Sequence, residues 1–310
     1  HGALTHQEET MNIAEQVKAA LNNQDHYSPR AIQSREGILG PSDIGFCRQK
    51  ATLTSKGTQA TDVVPMWAAQ IGTAMHNYVE AALHDVYPSW KLGSIHDMYV
   101  RATLPSGAEI GGHPDIVIAD EKTIIDIKTV NGFSWVRRAG VSDSHKYQRH
   151  LYALGMIQQY GWDPAETKVG NLYMDRSGAE DDFILEMEPF DPSLTYEIDN
   201  WVQDVIYAVE HGEDASRDIA APVCERICSF YTVCRGGLET SEEENYTEDG
   251  LVQAVAAYVD ARAAEKEAKA LKTEAQSRLR GVNGTVGEHQ VRWTTMQPSG
   301  NLRMDVRKAR

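Results

Sequence analysis

The spacing of apolar positions changes period several times along this chain. Met11, Ile13, Ala14, Val17 and Leu21 recur at helical intervals up to about Asn22, and Thr5 with Glu8 has the capping-box spacing ahead of them. A Gly/Pro/Ser loop follows, after which Ser42 is placed to cap a short helix holding Cys47. Residues 65–86, PMWAAQIGTAMHNYVEAALHDV, read as a helix. Residues 95–129 change to three strand-like runs, divided by Pro105-Ser106-Gly107 and by Asp120-Glu121-Lys122. A helix is expected over 143–160, closed by Gly161, then strands at 167–175 and 182–188, then a helix from Asp191 or Ser193 to about Glu210. Beyond a solvated acidic linker, ETSEEENYTED at 239–249, comes a long Ala-rich helix that Gly284 helps to end. The segments EHQVRWTTM and NLRMDVR suggest a terminal hairpin. This order of helices and strands predicts a mixed α/β core.

One stretch breaks the pattern. In GGHPDIVIADEKTIIDIKT, residues 111–129, Asp115 opens one apolar run, and Asp126 and Lys128 interrupt the next. An unpaired ion is expensive to bury, so such charges need a reason. Residues two apart in a strand share a face, so Asp126 and Lys128 project together while Ile127 points to the core. A turn at residues 120–122 brings Asp115 alongside Asp126. Two carboxylates at one end of a sheet form a hard-oxygen site for Mg²⁺ or Mn²⁺. Beside them, Lys128 can orient a water or stabilise charge developing on a phosphate, which is the chemistry of phosphodiester hydrolysis. The plainer alternative makes Asp126 and Lys128 solvent-facing residues of an edge strand, with Asp115 closing a turn.

Composition narrows the classes. At 310 residues, 41% apolar and 24% charged, the chain suits a soluble globular protein of one elaborated domain or two small ones. No stretch approaches the roughly 18 uninterrupted apolar residues of a membrane span, and no signal peptide is visible, so a cytoplasmic protein is the default. A net charge of −15 argues against a general nucleic-acid coating protein but not against a local basic groove. Arg137, Arg138, Lys146 and Arg149 cluster just after the charged strand as candidate phosphate contacts, and Arg303, Arg307, Lys308 and Arg310 crowd the C-terminus. The four cysteines are Cys47, Cys224, Cys228 and Cys234. In a cytosolic chain, C-x3-C-x5-C suggests metal ligation more than disulfides. Zinc and four unrelated buried cysteines stand as alternatives.

At these residues the chain resembles a known superfamily. H-P-D at 113–115 followed by D-I-K at 126–128 resembles the PD-(D/E)xK nuclease core, with Asp in the acidic position before x-K. Gly72…His76 ahead of the strands and Gln148…Tyr152 after them match the G-x-x-x-H and Q-x-x-x-Y marks of the RecB-like branch. The resemblance implies a restriction-endonuclease-like core, a central mixed sheet flanked by helices. It implies a Mg²⁺ or Mn²⁺ ion held by His76, Asp115, Asp126 and the Ile127 carbonyl, with Lys128 catalytic. Gln148 and Tyr152 would align the scissile strand, and Glu80, one turn from His76, would support the site. The cysteine pattern resembles the AddB-type nuclease domains and CRISPR-associated RecB-like exonucleases, where four thiolates hold a [4Fe–4S] cluster. That implies an iron–sulfur-stapled helical subdomain, although C-x3-C departs from the commoner C-x2-C step. The long helix, V-x-W and basic end are similar to the tails of phage recombination nucleases of the YqaJ/lambda-exonuclease type, and read equally as a packing or oligomerisation arm.

The function these implications give is a Mg/Mn-dependent deoxyribonuclease, an exonuclease acting from single-stranded DNA ends in recombination or end processing, phage-encoded and working in the host cytoplasm. An endonuclease or CRISPR-adaptation enzyme on the same site is one alternative; a non-catalytic iron–sulfur DNA-binding subunit is another. The expected partners are DNA and a recombination or helicase protein or a second copy of the chain, with no membrane. The expected organisation is an N-terminal segment carrying Cys47 (3–64), the nuclease core (65–190), the three-cysteine module (191–238), the acidic linker (239–249) and the C-terminal helix and hairpin (250–310).

Overall fold

The computed structural model describes residues 13–26, 29–178, 183–236, 249–295 and 302–309. Helices α1 (Ile13–His26), α2 (Pro29–Arg35), α3 (Arg48–Ser55) and α4 (Trp67–Val86) lead into β1 (Lys91–Leu92) and the single-turn α5 (Gly93–His96). Strands β2 (Val100–Thr103), β3 (Glu109–Gly112), β4 (Ile116–Ile118) and β5 (Thr123–Val130) follow, then α6 (Ser134–Ala139), α7 (Asp143–Tyr160), β6 (Lys168–Asp175), β7 (Phe183–Pro189) and α8 (Leu194–Glu210). Two short helices, α9 (Ala221–Ile227) and α10 (Tyr231–Arg235), end the first compact unit, His1–Gly237. The second unit, Leu238–Arg310, holds α11 (Asp249–Arg278), β8 (Gly284–Val286), β9 (His289–Thr295) and β10 (Leu302–Lys308).

The first unit is built on a mixed sheet in the order β1-β4-β5-β6-β7, with β5 and β6 parallel and every other neighbour antiparallel. A parallel pair needs a crossover, and α6 and α7 supply it. The period-2 alternation of β5 divides its side chains between two helices. Ile124 packs with Tyr152, Ala153 and Met156 of α7, whereas Ile125 and Ile127 pack with Met75, Val79 and Leu83 of α4. The sheet is thus a filled layer between helices, a mixed α/β fold with a central mixed sheet flanked by helices. Ile124 and Ile127, fully buried, each stabilise the layer by about 1.5–3 kcal/mol. Local chemistry sets the bounds of α7: the Ser142 hydroxyl accepts from His145 N–H at its start, and Gly161 takes the left-handed conformation (φ 68°) after its end.

Several expectations need correction. The middle strand-like run between residues 108 and 119 is two strands in two sheets: β3 pairs with β2 in a separate two-stranded sheet, and β4 joins the main one. Pro114 lies between them and has no N–H to continue a ladder. Ser42 lies inside a 3₁₀ turn, Pro41–Asp43, and Cys47 is itself the residue before α3 rather than within a helix that Ser42 caps. The first helix runs on to His26, while its expected capping pair, Thr5 and Glu8, lies outside the described residues. The acidic stretch lies outside them too, except for Asp249, which begins α11. That helix stops at Arg278, and Gly284 opens β8, a third strand on the C-terminal hairpin. Trp293 of β9 donates its indole N–H to the Leu279 carbonyl at 2.8 Å, and Arg307 is paired with Asp305 at 2.5 Å. No helix among the described residues is long and apolar enough to cross a membrane.

Candidate active site and cysteine pocket

The register of the sheet assembles the charged residues of the sequence. β4 and β5 are paired through Ile116 and Ile125, so Asp115 stands one step beyond the last pair, level with Asp126. Its Oδ2 accepts the Ile127 N–H at 2.6 Å, which fixes the carboxylate against β5. The Ile127 side chain is fully buried. On α4, His76 and Glu80 are one turn apart and reach the same point. His76 Nδ1 lies 3.4 Å from Asp115 Oδ1. Glu80, 2% exposed, accepts from Ser94 N–H at 2.7 Å and from its hydroxyl at 2.6 Å. Among the described residues, His76, Glu80 and Asp115 form the one trio of candidate metal ligands whose ligating atoms lie within 4.8 Å of each other.

Two glycines allow this approach. A Cβ at Gly72 would stand 3.2 Å from the Thr129 hydroxyl, so the first residue of the G-x-x-x-H pattern lets α4 close on β5. A Cβ at Gly93 would come within 2.6 Å of the Pro114 carbonyl, and the Gly93 N–H donates to the Asp115 carbonyl at 2.9 Å. The packing therefore seats α5 directly beneath Asp115.

Asp126 and Lys128 lie on the α7 side of the sheet. Asp126, 1% exposed, accepts from Lys128 Nζ at 2.9 Å and from Asn171 Nδ2 at 3.0 Å, both at Oδ2. Lys128 also donates to Gln148 Oε1 at 2.7 Å, and Gln148 Nε2 donates to the Tyr152 hydroxyl at 3.2 Å. The sequence-predicted residues thus fall into two linked groups: His76 and Asp115 with Glu80, and Asp126 with Lys128, Gln148 and Tyr152. Edge-strand exposure is overturned for Asp126, which is buried in a central strand.

The electrostatics follow from this packing. Burial raises the Asp126 carboxyl to about 6 despite the Lys128 charge that opposes it. Burial likewise raises Glu80, against the two Ser94 hydrogen bonds. Burial pulls His76 down, but its hydrogen bond and charge attraction to Asp115, with Asp126 beyond, leave it above its ordinary value. Tyr152 is held above its usual range by burial and by the charges of Asp126 and Asp115, so its hydroxyl keeps its proton. The site thus gathers three carboxylates and has one ammonium among its partners, an arrangement suited to a divalent cation.

Three neighbours were not singled out from sequence. Asn171 and Tyr173 of β6 are the register partners of Asp126 and Lys128. His145, whose ring nitrogen lies 3.0 Å from the Tyr173 hydroxyl, is pushed down to about 3 by burial, then by the charges of Lys128 and Arg149. The available signal was the polar Asn171 in the middle of the apolar run VGNLYM.

The basic residues divide. Arg137 and Arg138 are exposed on α6, with the Arg137 guanidinium 5.4 Å from the Phe133 ring centre, and Lys146 is half-buried on α7. Arg149 is corrected: 1% exposed, it pairs with Glu188 at 2.5 Å and donates to the Glu186 carbonyl at 3.1 Å. It is therefore an internal link between α7 and β7, not an open phosphate contact.

All four cysteines are free, and they line one pocket together with Leu53, Phe230 and Tyr231. Cys47 precedes α3, Cys224 lies on α9, Cys228 follows it and Cys234 lies on α10. Polar contacts join these distant segments: Gln49 exchanges hydrogen bonds with Asp214, Ala215 and Ser216, and Arg48 bonds Asp218 at 2.6 Å. Lys50, Arg217 and Arg235 also line the pocket. Burial raises the Cys228 thiol, opposed by a backbone N–H and by the Lys50 charge.

No family model and no curated protein matches the chain. Among solved structures it is similar to SSO0001, at 17% identity and a TM-score of 0.46, over 73% of this chain and 97% of that one. It is also similar to an alkaline exonuclease, LHK-Exo, from Laribacter hongkongensis, at 15% identity and a TM-score of 0.39, over 57% of this chain and 90% of that one.

Proposed function

We propose that this protein is a metal-dependent nuclease that hydrolyses phosphodiester bonds in DNA, working as an exonuclease from single-stranded ends in recombination or end processing. The observation that carries the reading is Lys128, whose ammonium is fixed between Asp126 at 2.9 Å and Gln148 at 2.7 Å, next to the trio of His76, Glu80 and Asp115. An all-purpose surface lysine has no such partners, whereas one aimed at a developing phosphate charge needs its position set in advance.

In this reading His76, Glu80 and Asp115 hold Mg²⁺ or Mn²⁺, with Asp126 beside them, and the imidazole favours Mn²⁺ over Mg²⁺. When bound, the metal supplies Lewis acidity and activates a water. The chain's own residues do the rest. Asp126 and Gln148 orient Lys128, Lys128 stabilises charge on the scissile phosphate, and Tyr152 remains a neutral partner that orients Gln148. Asp126→Ala and Lys128→Ala are expected to lose cleavage of end-labelled oligonucleotides while keeping DNA binding. Undiminished Mg²⁺-dependent digestion by pure Asp126→Ala protein contradicts the assignment. Circular single-stranded DNA separates an exonuclease, which spares it, from an endonuclease.

The same reading places an iron–sulfur cluster in the cysteine pocket. Four free thiols, three of them buried, with three cationic side chains nearby, suit an anionic, all-sulfur-ligated group. A single zinc ion, with Zn–S bonds of about 2.3 Å, draws its sulfurs to within about 4 Å of each other. The C-x3-C-x5-C spacing lacks the paired short C-x-x-C knuckles usual for zinc, which favours the larger group. Iron and acid-labile sulfide in anaerobically purified protein support the cluster; stoichiometric zinc rejects it.

A further inference from the structure

Tyr152 also lines a cavity of about 380 Å³ that none of the chemistry above uses. It is lined by Tyr99, His113, Tyr152 and Pro41, and by Arg30 and Gln33 of α2. The rings of Tyr99 and His113 meet edge to face, 5.1 Å apart at 69°. The paired glycines of β3 shape one side. A Cβ at Gly111 would collide with the Tyr99 hydroxyl, and one at Gly112 would stand 3.0 Å from Pro41 Cδ and 3.3 Å from Tyr152 Cε1. Only bare backbone lets these side chains close to that distance, so Gly111 and Gly112 give the cavity its shape.

The chemistry of the lining selects the occupant. Arg30 is already paired with Asp43 and donates to Gln33 Oε1 at 3.1 Å, so the cavity does not offer a free cation to a phosphate. What it offers is three aromatic side chains, a proline and the polar groups of Gln33 and Ser42. A flat, uncharged group with hydrogen-bonding edges matches these walls, and a nucleobase is such a group. Tyr152 connects the cavity to the hydrolytic site, because it also accepts from Gln148, the residue that holds Lys128. An occupant is therefore one side chain removed from the groups assigned to the scissile phosphate.

We propose, resting on the hydrolytic reading above, that this cavity binds an unpaired nucleobase of the substrate strand, next to the phosphate being cut. A base lodged among Tyr99, His113 and Tyr152 cannot at the same time be paired in a duplex. The cavity therefore makes the enzyme select a single-stranded or frayed end, and it does so through stacking rather than through sequence.

The test is abasic scanning. Short labelled single-stranded oligonucleotides, each lacking one base at a successive position from the end, are titrated by anisotropy in EDTA against wild type, Tyr99→Phe and Tyr99→Ala. In wild type, one abasic position is expected to weaken binding about tenfold, the order of one lost base–aromatic stack. Tyr99→Phe keeps that pattern. Tyr99→Ala binds the intact strand about tenfold more weakly and is indifferent to that position. Tyr99 is 43% exposed, so its truncation opens no core. Gly111→Ala, which displaces the tyrosine without removing it, should act as Tyr99→Ala does. If Tyr99→Ala binds the intact strand like wild type, or keeps the same abasic sensitivity, the pocket assignment is wrong. Cleavage with Mg²⁺ or Mn²⁺ is read separately. Hydrolysis with a flat abasic scan overturns the pocket alone, and the predicted scan without hydrolysis supports the pocket while overturning the hydrolytic reading.

Discussion

Replacing Asp126 by asparagine should make the metal-free protein more stable at neutral pH. The carboxyl is 1% exposed, and burial raises it from 3.8 to about 6 even with Lys128 and Asn171 bonded to it. At about 1.36 kcal/mol per pH unit, holding it ionised in the folded state near pH 7 costs about 3 kcal/mol. The sign follows from the raised value. Stability linked to this group is fully present below 3.8 and is lost as the pH rises through about 6. A side-chain amide at this position would keep the shape of the protonated acid and remove that loss. For a folding unit of this size the change amounts to roughly 6 °C or more in Tm. The assay is thermal unfolding in EDTA of wild type and Asp126→Asn, near pH 7 and again near pH 4. The expected gain is large at the higher pH and close to nothing at the lower. An asparagine variant that melts lower than wild type at neutral pH, or gains equally at both, refutes the claim that desolvation dominates at Asp126. Added Mn²⁺ should then raise the Tm of wild type and raise that of the variant less, because the variant keeps His76, Glu80 and Asp115 but lacks the neighbouring negative charge.

Other perturbations follow from the same geometry. Lys128→Ala is expected to lower single-turnover cleavage about 10²–10³-fold, with DNA affinity by anisotropy changed little. Arg149→Ala strands Glu188 against the sheet and should cost about 3 kcal/mol in urea unfolding, with no change in the salt dependence of DNA binding. Gly93→Ala puts a methyl against the Pro114 carbonyl, which moves Asp115; about 1–3 kcal/mol of stability and much of the Mn²⁺ affinity by calorimetry should go together. Cys228→Ser should lose bound iron and lower the Tm, measured on anaerobically prepared protein.

How far the sequence foretold the structure depended on the range of the forces involved. The end of α7 at Gly161 was legible because a left-handed glycine is a local signal. The shared face of Asp126 and Lys128 was legible because strand alternation is local too, and Gln148 and Tyr152 fell one turn apart on the helix that meets that face. Partners brought by register were not legible. Nothing near Asp126 in sequence announces Asn171, and Tyr173 became a neighbour of Lys128 only when β6 paired with β5. Arg149 misled for the same reason: a basic residue in a basic run reads as surface until Glu188 on β7 is found against it. The break at Pro114 between β3 and β4, which belong to different sheets, was not legible either. Glu80 joined the trio through Ser94, a serine on a one-turn helix that no period could predict.

The most direct test of the account is digestion of 5′- and 3′-labelled single- and double-stranded oligonucleotides and circular single-stranded DNA by wild type and Lys128→Ala with Mg²⁺ or Mn²⁺. Metal-dependent shortening of linear single strands by wild type, with circles spared and the Lys128→Ala lane blank, is the predicted result. Equal digestion by both proteins, or none by wild type with either metal, contradicts it.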